Sequence, residues 1–392
     1  MSKSNSLEGK KIAIVHAVFN SSIKGGGEKL MFSIRNHYKA DLFAGAIDLQ
    51  NWDKKKFKND SFVQDLWDKN YKFDYFHLES PIPIWRKIKR QLFFLVSNKS
   101  QVLEKYDIVI FSGHIAFLPR KLKNPLKILY CHTPPRDFSD QFENLLKSKP
   151  KWQHFFLKIF RNWIKSEYTK DASSCDLILT HTQTTQKRLM EFSGLNSTPI
   201  FPITDGLDRF KWISQGDYFL SYARLEEKKR LKLIVAAFTE MPDKKLIICS
   251  GGPLENWLKN EIETKNLKNI SFLGRVTDEK LADLVGNCLA GIYIPINEDA
   301  GMTQIELMNA GKPVIGVAEG GLLESVIDGE NGILLPENPE TKDLIKAVEK
   351  MTPKLALSLK EKCKLQAQKF APKQFFQQLD LLLEEGLKSK SR

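Results

Sequence analysis

The sequence lacks the means to hold a fold together by cross-links. Its five cysteines, Cys131, Cys175, Cys249, Cys288 and Cys363, are odd in number and far apart. They match neither a disulfide framework nor a metal-ligand spacing, so they read as buried free thiols and no metal is expected. No apolar run approaches the roughly 18 residues that cross a bilayer. The opening M-S-K-S-N-S-L-E-G-K has no apolar signal core, which makes a cytoplasmic protein the expectation. Acidic residues are in short supply: 60 Lys and Arg against 47 Asp and Glu give a formal charge of +13 and a pI near 9.3. Such a balance attracts nucleotide phosphates, an acidic membrane surface or nucleic acid. The last is set aside, because no helix-turn-helix, zinc spacing or aromatic-and-basic sheet signature is present.

What is there is an ordinary globular composition, 42% hydrophobic and 27% charged, over 392 residues. That length suggests two domains at roughly 150 residues each. In the second half, residues 218–222, 245–249, 270–273, 289–294, 313–317 and 332–335 are short apolar runs separated by helix-length amphipathic stretches. The first half repeats the pattern less regularly at 11–18, 41–46, 107–113, 127–132 and 176–181, with an insertion of no recognisable motif at about 48–106. Alternating strands and helices predict parallel, doubly wound α/β sheets. The expected organisation is a Rossmann-like domain at 1–205, a second at 206–370, and a C-terminal helical segment at 371–392 packing back across a Pro- and Gly-rich junction near 201–216. Ligands of such sheets gather at the carboxyl ends of the strands, so two facing domains would enclose an interdomain cleft.

The most informative stretch is P-I-N-E-D-A-G-M-T-Q-I-E-L-M-N-A-G-K-P-V-I-G at 295–316. It sets Glu298 at a strand exit and Glu306 on the following helix, with little side chain at Ala300 and Gly301 between them. Backbone N–H groups exposed there suit a negatively charged, hydroxyl-rich ligand. The same spacing also fits a plain strand-to-helix connection with surface acids. After the first strand of that half, Arg224 and Lys229 in A-R-L-E-E-K-K are placed to stabilise a departing diphosphate. Near the N-terminus, Gly25, Gly26 and Gly27 precede a helix opened by Glu28, without the Lys-Ser or Lys-Thr of a Walker motif. Finally, Arg86, Lys87, Lys89 and Arg90 alternate with Trp85, Ile88, Leu92 and Phe93. That pattern fits a helix lying on an anionic membrane surface, and equally one packed on its own domain.

Together these motifs resemble the family 4 retaining glycosyltransferases, which have the two-domain GT-B architecture. The matches run in order through G-G-G-E (25–28), A-R-L-E-E-K-K (223–229), C-S-G-G-P (249–253), F-L-G-R-V-T-D-E-K-L (272–281), E-D-A-G-M-T-Q-I-E (298–306) and G-K-P-V-I-G…E-G-G-L-L-E (311–324). They cover nearly all of 216–340 and only patches of the first half, where Y-C-H-T-P-P-R (130–136) looks most like the mannosyltransferase branch of polysaccharide and lipid-linked oligosaccharide synthesis. The chain departs from the pattern at Ala300 and Ser221, without losing a charged group.

The resemblance implies roles residue by residue. Arg224 and Lys229 would hold the donor diphosphate, with Gly26 and Gly27 facing it and Gly251 in the turn beside it. Glu306 would take the ribose hydroxyls, and Arg275 and Val276 would flank the base. Glu298, with Asp299, Ala300, Gly301, Met302 and Thr303, would hold the transferred sugar. His114 is the first candidate for a histidine near the sugar and His132 the second. Catalysis would be metal-independent, since no Asp-x-Asp occurs, with a nucleotide sugar as substrate and no cofactor. The implied donor is GDP-mannose and the acceptor a glycan or lipid-linked sugar, with an anionic membrane surface on the inner face of the cytoplasmic membrane as a further partner. A UDP-sugar transferase and a GT-B sugar-nucleotide epimerase are the alternatives.

Overall fold

The structure is a computed structural model that describes residues 7–20, 26–48, 99–113, 118–204 and 206–391. It divides into two units, Met1–Ile200 with Gln377–Arg392, and Phe201–Phe376. The expected insertion and the basic segment around Arg86 fall almost wholly outside the described residues.

The first unit is built on a parallel sheet of β1 (Ile12–Asn20), β2 (Asp41–Asp48), β3 (Ile108–Ser112), β4 (Leu126–Cys131), β5 (Leu177–Thr180) and β6 (Thr198–Pro199). Their order across the sheet is β2-β1-β3-β4-β5-β6. The second unit carries β7 (Tyr218–Ser221), β8 (Lys245–Ile248), β9 (Ile270–Phe272), β10 (Ala290–Ile292), β11 (Val314–Val317) and β12 (Gly332–Leu335). Its order, β9-β8-β7-β10-β11-β12, is that of the dinucleotide-binding doubly wound fold. All described pairings are parallel, with Ile14 beside Ile110 and Ile110 beside Ile128 in the first sheet. In the second, Ala290 lies beside Phe219.

Helices on both faces explain why the strands are continuous apolar runs instead of alternating ones. Each residue of β3, I-V-I-F-S, is buried, and so is each of β11, V-I-G-V. The two α/β sheets of the sequence reading are therefore present, with strand limits moved by at most two residues. The two-residue strand β6 was not legible, because two residues carry no period. A second difference lies at the glycine cluster. The helix Gly26–Tyr38 begins before Glu28, with Gly26 and Gly27 inside its first turn.

Cores form on each sheet separately. Phe111, Leu129, Leu189 and Tyr168 pack together in the first unit, and Phe219, Phe238, Leu246, Ile305 and Ile315 in the second. The later part of the helix Pro372–Lys390 belongs to the first unit, where the Tyr38 hydroxyl donates to Asp380 at 2.7 Å and Lys390 meets Asp176 at 3.0 Å.

Phe238 is fully buried, with its ring edge-on to Phe219 at 5.8 Å between centroids. Phe238→Ala should lower the stability of the second unit by about 3–5 kcal/mol, seen as a lower denaturant midpoint at an unchanged slope.

Candidate functional site

Strand order reverses between β7 and β10, so the loops leaving these two neighbours part and open a crevice at their carboxyl ends. The two glutamates stand there. Lys229, at the end of a short 3-10 turn Glu227–Lys229 after β7, is ion-paired with Glu298 in the loop after β10. Its ammonium also lies 3.2 Å from the Tyr293 hydroxyl. On the helix Thr303–Asn309, Glu306 Oε2 accepts from the Tyr222 hydroxyl at 2.9 Å, and that hydroxyl is 3.0 Å from the Thr303 carbonyl. Burial, reinforced by the neighbouring carboxylates, holds both phenols far above their usual range, so Tyr222 and Tyr293 remain neutral donors.

A buried ion pair fixes these loops. Arg230, in left-handed backbone at φ 51°, pairs with Glu319, whose side chain is 2% exposed. Arg230 also donates to the Ile294 carbonyl at 3.0 Å. Glu319 accepts the N–H of Asn297 at 3.1 Å and of Asn338 at 2.9 Å. The Ile296 N–H donates to the Lys228 carbonyl at 2.8 Å, so the turn bearing Lys229 and the loop bearing Glu298 are tied on both sides. Behind that loop, a Cβ on Gly320 would lie 2.3 Å from the Glu298 carbonyl oxygen, and one on Gly321 2.5 Å from that of Asp299. The segment from Asp299 to Thr303 thus rests on two glycines, with Ala300 buried and Gly301, Met302 and Thr303 half-buried.

The remaining expected donor-side residues border the same strand ends. Arg224 and Arg275 are exposed and Val276 is half-buried. The Arg275 side chain crosses Gly251, where a Cβ would meet its Nε at 2.6 Å. Backbone bonds from Leu225 N to the Gly251 carbonyl (3.2 Å) and from Ser250 N to the Gly274 carbonyl (2.8 Å) join the loops after β7, β8 and β9. Four residues of this crevice escaped the sequence reading: Tyr222, Tyr293, Arg230 and Glu319. The two tyrosines did carry a signal, since each directly follows a strand, the position used to single out Arg224 and Glu298.

In the first unit the strand ends carry a hydrogen-bonded row of a different kind. His16 Nδ1 is 2.7 Å from Ser112 Oγ, which is 2.8 Å from His132 Nε2, and His132 Nδ1 is 2.8 Å from His181 Nε2. These residues come from β1, β3, the exit of β4 and the exit of β5, neighbours across the sheet. His181 is held by the helix that follows it, where Thr182 and Thr185 cap one another reciprocally. The His132 ring lies over Gly27, where a Cβ would be 3.3 Å from it and would press on the ring. The structure thus brings His132 to the glycine cluster. His114 lies outside the described residues.

Comparisons with known proteins bear on the fold and on the second unit. The family model for "Glycosyl transferases group 1" matches residues 207–370. Among characterised relatives, the chain is similar to the alpha-1,3/1,6-mannosyltransferase ALG2 of Dictyostelium discoideum, at 27% identity over 336 residues, 72% of this chain and 76% of that protein. The human ALG2 is 26% identical over 318 residues, 70% of this chain and 72% of its own. Among solved structures, sucrose-phosphate synthase from Thermosynechococcus elongatus aligns with a TM-score of 0.71 at 17% identity, covering 97% of this chain and 100% of that one. Anabaena HepE, solved with UDP and glucose, aligns at 0.68 and 17% identity, over 96% and 99%. The fold is therefore GT-B.

The histidine row gives the first unit a pH dependence. Burial, with the charges of His181 and His16, pushes His132 well below its usual value, and burial alone takes His181 down to about 4. An unfolded histidine binds its proton near 6.5 while these folded ones refuse it, so the contribution is complete above about 6.5 and is lost as pH falls towards 4. The melting temperature should fall across that window, and His181→Gln should make the fall shallower.

Proposed function

We propose that this chain, whose residues 207–370 match the model for group 1 glycosyl transferases, moves mannose from GDP-mannose to a lipid-linked glycan acceptor with retention at the anomeric carbon. The observation that carries this reading is the pairing of Lys229 with Glu298 and of Tyr222 with Glu306 at the β7/β10 crevice. A lysine ammonium has three donors. With one on Glu298 and one on Tyr293, the third is left for a phosphate oxygen, and the exposed Arg224 supplies a second cation. Glu306, oriented by Tyr222, accepts the ribose hydroxyls, while Arg275 and Val276 lie beside the base. Glu298 and the backbone from Asp299 to Thr303 bind the hydroxyls of the sugar.

In the transfer step the bond from the anomeric carbon to the diphosphate oxygen breaks. The acceptor oxygen bonds to the same face, and the acceptor proton passes to a leaving phosphate oxygen. Charge gathers on the diphosphate, where fixed cations in a partly desolvated site act most strongly. His132, beside Gly27, and His114 are the candidate histidines on the acceptor side. The mannosyl assignment draws on the relatives named as mannosyltransferases. UDP bound to HepE keeps a UDP-sugar as the second donor to test.

Titration with GDP-mannose, UDP-glucose and ADP-glucose decides the donor. GDP-mannose should bind and raise the melting temperature, and no response to any of the three would sink the reading. Glu306→Ala should weaken donor binding about tenfold or more, the loss of hydrogen bonds to a charged group. Glu298→Ala should leave donor affinity nearly intact and lower kcat about a hundredfold, the size expected when a bound sugar is misplaced. Transfer should survive a chelator, and activity abolished by one would contradict the metal-independent step.

A further inference from the structure

The helix Lys151–Ser173 presents three distinct stripes. Leu157, Ile164, Tyr168 and Ala172 face inward and are buried, packing on the core of the first unit. On the outward side stand Trp152 at 70% exposure, Phe155 at 67%, Phe156 at 65%, Ile159 at 53% and Trp163 at 38%. Their spacing of three or four residues puts them on one face. Lys151, Lys158 and Lys165, seven residues apart, form a third stripe beside it, and all three are exposed.

Single exposed apolar residues are normal on a protein surface, but a cluster is not. Of the fifteen large apolar residues exposed among the described residues, five fall within twelve positions of this one helix. Between Glu143 and Glu167 there is no Asp or Glu, while Lys147 and Lys149 add to the basic side. Arg161 is turned away from the patch, donating to the Phe138 carbonyl at 3.0 Å with its guanidinium over the Phe142 ring.

We infer that the outward face of the helix Lys151–Ser173 docks the protein on an anionic lipid bilayer, with its aromatic stripe at the headgroup boundary and its lysine stripe on the lipid phosphates. The charge pattern selects this occupant. A second copy of the same face would bring basic stripes together on a chain of net charge +13, which opposes association. Large aromatic rings flanked by lysine on a helix that lies flat are what an acidic interface accommodates. No described helix is long and apolar enough to cross a membrane, so such a contact is peripheral. The inference deepens the lipid-linked acceptor of the proposed function and rests on it for its purpose. The binding itself needs neither donor nor acceptor.

The test is flotation of the full chain with phosphatidylcholine vesicles, with and without phosphatidylglycerol, while following tryptophan emission. Binding should require phosphatidylglycerol and shift the emission to the blue. The triple variant Trp152→Ser, Phe155→Ser, Phe156→Ser should stay unbound while keeping the wild-type melting temperature and donor response. A second variant, Lys151→Gln, Lys158→Gln, Lys165→Gln, keeps the aromatic stripe and should bind about a hundredfold more weakly. Wild-type protein that binds neither vesicle, or a triple variant that floats like wild type, overturns the proposal. So does a wild-type dimer that the triple variant converts to monomer without any vesicle binding, or binding to RNA in place of vesicles. If GDP-mannose fails to bind while flotation behaves as expected, only the donor assignment falls.

Discussion

The second unit's site depends on one buried charge pair, Arg230 with Glu319. Removing either partner would strand a desolvated charge at a cost of about 3–5 kcal/mol, whereas the intact pair adds little net stability. Its value is geometric. Glu319 binds backbone N–H groups in the loops after β10 and β12, and Arg230, from the β7 side of the crevice, caps the carbonyl of Ile294 at the exit of β10. These bonds hold the Lys229 turn against the Glu298 loop. Arginine suits this place because its planar fork serves a carboxylate and a carbonyl at once, which a lysine ammonium does less rigidly.

Both units place polar groups where strand order reverses, but they use different chemistry. In the second, cations and carboxylates pair beside phenols that stay neutral. In the first, three imidazoles and a serine form a hydrogen-bonded chain, in which burial disfavours the charged form of His132 and His181. The division suits a transferase. A leaving diphosphate needs fixed positive charge, while a hydroxyl nucleophile gains from neutral groups that can accept or pass a hydrogen bond.

Much of this was legible in the sequence because parallel strands buried on both faces are plain apolar runs, and because Glu298 and Glu306 bracket a turn of small residues. Arg230 was not, since it ends a run of charges, E-E-K-K-R, in which nothing local separates a buried guanidinium from solvated ones. Glu319 likewise precedes two glycines as a surface acid would. His16, Ser112, His132 and His181 are scattered over most of the first unit, and only the strand order joins them. The helix Lys151–Ser173 is amphipathic along its whole length, and sequence alone does not say which of its two apolar stripes is buried.

The central claim is that the β7/β10 crevice is the donor site. A crystal structure with GDP-mannose tests it most directly. The account predicts the diphosphate within hydrogen-bond distance of Arg224 and Lys229, the ribose hydroxyls on Glu306, and the mannose against Glu298 and the backbone from Asp299 to Thr303. A nucleotide bound elsewhere, or one in the crevice with its ribose away from Glu306, would contradict it.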